Sequence, residues 1–236
     1  MSDKQSKSLF PLLKKWMASP VKQIVSVASG RILSSTHLDC SDSPNFNRQK
    51  WSSLYERTNN CYNYAINQRE KTVYEPGYIA YSQGRLRKKD LEILHMENFF
   101  SNPFEDVCQK IKRLAEADGL IWLGHEPKTQ PGYYIIALAM ADHHRIWGAR
   151  DYHWYRLDKD HNWSHKQGEY PVERVKKSLF SLNADDVTMP HELKNKRYAN
   201  FMGYYLVPNK PFKINRKKVT ELQQYLKRKA PKRKAF

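Results

Sequence analysis

Cysteine, glycine and long apolar segments are scarce in this chain of 236 residues. The 3 cysteines, Cys40, Cys61 and Cys108, form no C-x-x-C pair, so neither a disulfide framework nor a thiolate zinc site is indicated. The 9 glycines and 12 prolines are too few for a collagen-like or low-complexity chain. No apolar run reaches the ~18 residues of a membrane-spanning helix, and two lysines interrupt the apolar stretch at residues 9–18, which makes it a poor secretory signal. These absences predict a soluble protein with reduced thiols that does not use the general secretory route.

Acidic residues are also in the minority, because 24 Asp and Glu stand against 41 Lys and Arg and leave a net charge of +17. Eleven of the basic residues lie between residues 209 and 236, where Glu221 is the single acid. Hydrophobic residues make up 40% and aromatic residues 13% of the chain, which is enough for a packed core. We therefore expect an N-terminal extension at residues 1–45, a folded domain at residues 46–208 and a basic C-terminal tail at residues 209–236.

Helical patterns come first along the domain, and strand patterns follow. The patterns predict a helix from Cys61, a β-like run with a turn at Val73–Tyr81, and helices at Leu86–Phe99 and Pro103–Ala117. Strands are expected at Tyr133–Met140, Tyr152–Leu157, Trp163–Lys166 and Met202–Val207. The tail is expected to be helical at most between Lys217 and Lys229. This order is typical of an α+β fold with an antiparallel sheet.

The segment from Asn59 to Ala65 holds the strongest candidate for a catalytic residue. Asn59 and Asn60 are both good N-caps, which places Cys61 in the first turn of a helix. The helix dipole and the unpaired N–H groups of a first turn favour a thiolate and can bind an oxyanion. Because a free thiol is only a few per cent ionised at neutral pH, this position would make Cys61 a better nucleophile.

Two histidines twelve residues apart, His153 and His165, are candidates for the base and its orienting partner. They lie on the two strands of a hairpin, so the register decides whether they share a face. An even index sum across the hairpin puts them on one face as neighbours, whereas an odd sum puts them on opposite faces. The turn residues 158–162 suit a loop of three or five residues and lack Asn-Gly or Asp-Gly, which favours the even register.

A cysteine that opens a helix, followed by a sheet with His153 and His165 on successive strands, resembles the NlpC-type branch of the papain-like cysteine peptidases. The resemblance covers about residues 51–208. It implies a papain-like fold in which the nucleophile helix packs on an antiparallel sheet. It also implies a Cys-His-His triad with Cys61 as nucleophile, His153 as general base and His165 as orienting residue. The chain departs from that family in having Asn60 before the cysteine, a bulky Tyr62 after it and an inserted helical region at residues 86–117.

The function expected from this site is that of a cysteine peptidase or amidase acting on a peptide or other amide-containing substrate, or of a related acyl transferase. Tyr55, Asn59 and Tyr62 are the candidates for contacts with the oxyanion or the substrate. No cofactor or metal is expected. The acceptor of the acyl group, which can be water, an amine or a lipid, stays open, and the inserted helices either cover the cleft or recognise a substrate.

Two other functions compete with this reading. A zinc hydrolase would draw its ligands from Cys61, His153, His165 and the pair His143-His144, but adjacent strand histidines point in opposite directions and no H-E-x-x-H spacing exists. A binding protein for nucleic acid or an anionic membrane would use residues 210–236, and the Cys/His cluster would then be structural. The run at residues 227–234 also resembles a nuclear-localisation segment. We expect either an intracellular protein or one delivered, as a secreted effector, without a classical signal peptide.

Overall fold

The computed structural model describes residues 38–52, 54–94, 96–142, 150–175, 198 and 200–229, with no side chains for residues 96–98. Most of the predicted extension, including the apolar stretch at residues 9–18, lies outside the described residues. The same holds for His143-His144 and for residues 230–236 of the tail. Within the described residues, no helix has both the length and the apolar character needed to cross a membrane.

Among the described residues, five α-helices precede the strands and a sixth follows them. The helices are α1 (Leu54–Thr58), α2 (Cys61–Ala65), α3 (Tyr78–Ser82), α4 (Met96–Ser101), α5 (Phe104–Ala117) and α6 (Arg216–Lys229), with 3₁₀ turns at Gln49–Trp51 and Lys88–Leu94. The strands are β1 (Ile121–Gly124), β2 (Tyr133–Ala141), β3 (Asp151–Leu157), β4 (Trp163–Lys166), β5 (Val172–Arg174) and β6 (Asn200–Pro208).

The strands form one six-stranded antiparallel sheet in the order β1-β6-β2-β3-β4-β5. β2 lies inside the sheet and is buried from its second residue onward, which explains its continuous apolar sequence. Side chains alternate between the two faces, so Ile136 and Leu138 pack with the helices while Ile135 and Ala137 belong to a second cluster on the other face. The coarse prediction of an α+β fold with an antiparallel sheet is confirmed.

Some predicted elements differ from the observed ones. The prediction of a β-like run at Val73–Tyr81 is wrong apart from its turn, because residues 73–75 form no strand and residues 78–82 form α3. Gly77 adopts a left-handed φ of 91°, and a Cβ there would lie 2.6 Å from Leu91, so only glycine fits this helix start. Asp118 accepts hydrogen bonds from the N–H groups of Gly77 and Ala80, which anchors the first turn of α3. Tertiary contacts, which the sequence pattern does not show, therefore favour helix here.

The helical prediction at residues 86–99 is fulfilled as a 3₁₀ helix at Lys88–Leu94 and the separate helix α4, whereas α5 matches its prediction to within one residue. The short strands β1 and β5 were not predicted. They have four and three residues, too few for a recognisable alternation.

Candidate functional site

The first turn of α2 presents Cys61, as the sequence predicts. Asn60 is the N-cap, and its side chain accepts a hydrogen bond from the backbone N–H of Asn63 at 3.0 Å. The Asn63 side chain accepts one in return from the N–H of Asn60, which completes a reciprocal capping box. The helix is short: it ends at Ala65, and Asn67 adopts the left-handed region at φ 52°.

Two buried tyrosines attach α2 to the rest of the domain. The hydroxyl of Tyr62 donates to Asp118 at 2.7 Å, and its ring packs 5.3 Å from that of Trp154 on β3. The hydroxyl of Tyr64 is hydrogen-bonded to Ser164 on β4 at 2.7 Å. Because both tyrosines are fully buried, the helix has little freedom to shift, and the position of Cys61 relative to β3 is held firmly.

The β3–β4 hairpin has the even register that the turn residues favoured. Tyr155 pairs with His165 and Leu157 pairs with Trp163, so His153 is the diagonal neighbour of His165 on the same face. Nε2 of His153 lies 2.8 Å from Nδ1 of His165. Burial lowers the pKa of His165, and the nearby carboxylate of Glu173 raises it. A neutral His165 can accept a hydrogen from Nε2 of His153 through Nδ1.

Aromatic rings enclose His153. The ring of Tyr198 stacks on it, with centroids 4.9 Å apart and planes 17° apart, and the ring of Tyr155 meets it edge-on at 4.8 Å. The hydroxyl of Tyr198 donates to Asp151 at 2.7 Å. The packing of these rings restricts the imidazole to the orientation in which it meets His165. Tyr198 lies in no predicted element, and no sequence pattern pointed to it.

A cavity of about 340 Å³ opens at the N-terminal end of β3, and both Cys61 and His153 line it. The remaining lining residues come from the N-cap of α2, the segment before α3, β3, the segment after β4 and the position two residues before β6: Asn60, Glu75, Asp151, Tyr152, Gln167, Gly168, Tyr170 and Tyr198. Tyr170 is 67% exposed. The cavity therefore brings together the Cys61 thiol, the His153 imidazole, two carboxyl groups and three phenol rings, and His165 contacts His153 from outside its lining.

Cys61 and His153 both line the cavity, but they pack against different sets of side chains. Trp154, the residue after His153, packs with Tyr62 on the helix face of the sheet, whereas His153 packs with Tyr155 and Tyr198. The backbone N–H of Trp154 nevertheless acts on the Cys61 sulfur and lowers the pKa of the thiol. β3 thus approaches the sulfur one residue away from the histidine.

Cys61 is 7% exposed, and its burial raises the pKa of the thiol well above its ordinary value. The carboxyl groups of Glu75 and Asp151 raise that pKa further, while hydrogen bonds from the N–H groups of Trp154 and Tyr62 lower it. From the helix start alone, the sequence predicted a thiolate at Cys61. Burial and the two carboxyl groups act in the opposite direction on the pKa of this thiol. This environment favours the protonated thiol over the thiolate.

Glu75 is a cavity residue that the sequence did not single out. Burial raises its pKa to about 8, with a further increase from Asp151 and a decrease from its hydrogen bond with Asn60. Asn60 donates to Oε1 of Glu75 at 3.1 Å, and the hydroxyl of Tyr152 donates to Oε2. The carboxyl group therefore links the N-cap of α2 to β3 across the cavity.

The predicted contacts of Tyr55, Asn59 and Tyr62 with a substrate or an oxyanion do not match their positions, since none of the three lines the cavity. Asn59 is buried and donates to the backbone oxygens of Tyr55 and Glu70, and Tyr62 is hydrogen-bonded inside the core. The ring of Tyr55 lies under the guanidinium of Arg69. Asn60, adjacent to the predicted Asn59, is the asparagine that reaches the cavity.

The inserted region at residues 86–117 contributes no side chain to the cavity among the described residues. α5 instead packs its buried face, including Val107 and Ile111, into the core. Phe99 touches the ring of Tyr152 at 6.0 Å between centroids. The region supports the cavity wall from behind.

Lys166 is fully buried next to His165 on β4 and is a further residue that sequence reasoning missed. Its Nζ donates to the backbone oxygens of Glu56 and Gly168, and Gly168 lines the cavity. Burial lowers its pKa to about 8, and the nearby Glu56 and Cys61 raise it. The lysine thereby holds one wall of the cavity in place.

Within the described part of the chain, no three His, Cys, Asp or Glu side chains are grouped so that they could hold a metal ion. Of the zinc ligands considered, Cys61, His153 and His165 are described, and His143-His144 are not. The three cysteines are free thiols.

The chain is similar to insoluble matrix shell protein 1 of Ruditapes philippinarum, with 28% identity over 164 residues that cover 69% of this chain and 88% of that protein. No protein-family model matches the chain. No solved structure matches it either.

Proposed function

We propose that this protein is a cysteine hydrolase, a peptidase or amidase of the NlpC-type papain-like kind, with a Cys61-His153-His165 triad. The observation that supports the proposal is the cavity that both Cys61 and His153 line, together with the hydrogen bond between Nε2 of His153 and Nδ1 of His165. The order of the elements, with a cysteine at a helix start and the histidines on successive antiparallel strands, supports the same assignment.

The proposed reaction is acyl transfer through sulfur. Nδ1 of His153 takes the proton of the Cys61 thiol as the sulfur attacks the carbonyl carbon of an amide, and the backbone N–H of Cys61 donates to the oxygen that becomes negative. The C–N bond then breaks, and His153 returns the proton to the leaving amine. Water attacks the thioester, loses a proton to His153 and releases the carboxylic acid, after which the thiol is restored.

The raised pKa of Cys61 fits a mechanism in which proton removal and attack are coupled. A base is needed at the moment of reaction, and Nε2 of His153 is already occupied by His165. That contact leaves Nδ1 of His153 as the nitrogen that can accept the thiol proton, and it fixes the tautomer that this transfer requires.

The test compares Cys61→Ala and His153→Ala with Cys108→Ala and His125→Ala, which change the same residue types outside the cavity. The purified variants are assayed against a panel of peptides and N-acyl amides and are labelled with a vinyl sulfone probe. We expect the cavity variants to lose turnover by at least ~10⁴-fold while their thermal melts stay close to that of the natural protein. Turnover retained in Cys61→Ala would refute the proposal.

A second candidate function is that of a structural matrix protein in which the Cys/His cluster only stabilises the fold. It is favoured by the name of the Ruditapes philippinarum relative, since the similarity spans 88% of a protein described as insoluble shell matrix. Recovery of this protein from an insoluble extracellular fraction, together with no labelling of Cys61 by electrophiles, would support this function over hydrolysis. Recovery from the cytoplasm with a reactive Cys61 would support the hydrolase.

A further inference from the structure

The C-terminal basic segment is an ordered part of the described structure from residue 216 to residue 229. Val219 and Leu222 of α6 are buried in the core. Gln223 donates from Nε2 to the backbone oxygen of Val73 at 2.7 Å, and Arg216 forms an ion pair with Glu70 at 2.8 Å. The cations of this helix are therefore presented in a defined arrangement.

One flank of α6 meets the basic turn at residues 84–90. Lys88 of this turn and Lys229 of α6 both lie over the ring of Tyr225, with Nζ at 5.2 Å and 6.0 Å from its centroid. Lys218 Nζ lies 4.0 Å from where a Cβ would stand on Gly84. Three exposed ammonium groups from two separate segments are thus brought to one surface, which we call the α6 patch and define as Lys88, Lys218 and Lys229.

The charge of the surroundings adds to that of the patch. α6 carries six Lys or Arg residues and one acid, Glu221, and the turn carries four basic residues before Asp90. Asp90 is paired with Arg87, and Glu92 accepts a hydrogen bond from the hydroxyl of Tyr225 at 2.5 Å. The basic residues of α6 and the turn still outnumber these acids. An anionic partner would relieve the repulsion between the remaining positive charges.

We propose that the α6 patch and the outward face of α6 bind the phosphodiester backbone of a nucleic acid, independently of the hydrolase site. The helix of 14 residues is about 21 Å long, enough to span several successive phosphates of one strand. A bilayer fits less well, because the large apolar side chains that are exposed in the described structure, Leu54, Phe100, Ile121, Trp122 and Tyr170, all lie outside α6 and the turn.

The experiment measures the affinity of the full chain for a fluorescent 20-nucleotide single strand between 50 and 200 mM salt. The patch variant is Lys88→Gln/Lys218→Gln/Lys229→Gln. The control variant, Lys50→Gln/Lys128→Gln/Lys159→Gln, removes the same charge from exposed lysines elsewhere. We expect the patch variant to lose at least ~10-fold in affinity and to lower the slope of log K against log salt by about 2, since each phosphate contact of a single strand contributes about 0.7. The control variant should keep most of its affinity.

Two further arms identify the anion. Vesicles of phosphatidylcholine with about 30% phosphatidylserine and a heparin octasaccharide are titrated under the same conditions. Equal losses in the patch and control variants would overturn the proposal, because binding would then follow net charge alone. Stronger binding of the vesicles or of heparin than of the single strand would also overturn it and would assign the surface to lipid or to sulfated glycan. Thermal melts of the variants confirm that each is folded.

Discussion

Nε2 of His153 and Nδ1 of His165 lie 2.8 Å apart across the β3–β4 hairpin. This contact joins two residues that are twelve positions apart, and it depends on the even register of the hairpin. For Nδ1 of His153 to accept the thiol proton, Nε2 has to carry a hydrogen and donate it to His165. The pair therefore sets the tautomer of the proposed base.

Replacing His165 should cost less than replacing Cys61 or His153. His165→Ala removes the hydrogen-bond acceptor of Nε2, so that His153 populates the unsuitable tautomer part of the time. We expect a loss in kcat that is roughly 10 to 100 times smaller than that of the other two substitutions. His165→Asn, whose side-chain oxygen can still accept a hydrogen bond, should recover part of the activity. Equal losses for all three alanine variants would contradict an orienting role.

Thiol labelling should separate Cys61 from the other cysteines. Burial raises the pKa of Cys40 to about 11 and that of Cys108 to about 12, and neither residue lines the cavity. Because Cys61 opens into the cavity, we expect iodoacetamide to modify it first despite its own raised pKa. Peptide mass spectrometry at several times gives the three rates.

The labelling rate of Cys61 should also depend on its proposed base. His153→Ala should slow it by roughly 10-fold or more and leave the rates of Cys40 and Cys108 unchanged. A rate at Cys61 that does not respond to His153→Ala would argue against proton transfer between the two residues.

Tyr198 should act as a positioning residue for His153. Tyr198→Leu removes the stacked ring and frees the imidazole to rotate, so we expect a loss in kcat of roughly 10- to 100-fold with KM little changed. Tyr198→Phe keeps the ring and loses only the hydrogen bond to Asp151, and it should retain most of the activity. The same order should appear in the alkylation rate of Cys61, which a general loss of stability would not produce.

Glu75 should make the folded protein less stable as the pH rises. Its pKa is about 8 in the folded state against an ordinary value of 4.5, so the folded state holds a proton that the unfolded state has already lost between these two values. The free energy of unfolding therefore decreases from about pH 4.5 to pH 8 and this contribution is constant above pH 8. Glu75→Gln cannot ionise, and its thermal melting temperature should fall less over pH 5 to 9.

The matched control for this experiment is Glu126→Gln, which changes an exposed carboxyl group. Asp118, whose burial raises its pKa to about 7, contributes a decrease of the same sign to every variant. The difference between the two glutamine variants therefore isolates Glu75. A melting curve for Glu75→Gln that follows that of Glu126→Gln at all pH values would show that Glu75 ionises normally.

Sequence reasoning succeeded where local chemistry decides the structure. α5 follows from Pro103 and the acids of its first turn, and the start of α2 follows from the asparagine that caps it. The hairpin register follows from the length of the turn at residues 158–162, which determines which side chains share a face. Prediction from the sequence failed for α3, because the carboxylate that anchors this helix belongs to Asp118, about forty residues away in sequence.

The residues of the site likewise fall into those that the sequence could predict and those that it could not. Cys61, His153 and His165 could be singled out because each requires only its own place on a helix or a strand. Glu75, Asp151 and Tyr198 could not, because their proximity to the cysteine or the histidine arises from packing between distant segments. The sequence also suggested Tyr55, Asn59 and Tyr62 from their nearness along the chain, and none of the three lines the cavity.

By itself, the sequence determined the mixed α and β character, the helix start at Cys61, the shared face of the two histidines and the basic charge of the C-terminal helix. These features depend on interactions between residues close together along the chain. Only the tertiary structure decided how deeply the sulfur is buried, which carboxyl groups lie beside it, and that Lys88 joins Lys218 and Lys229 on one surface. Burial and charge at a point in space are sums over every segment that packs there, and no local pattern contains them.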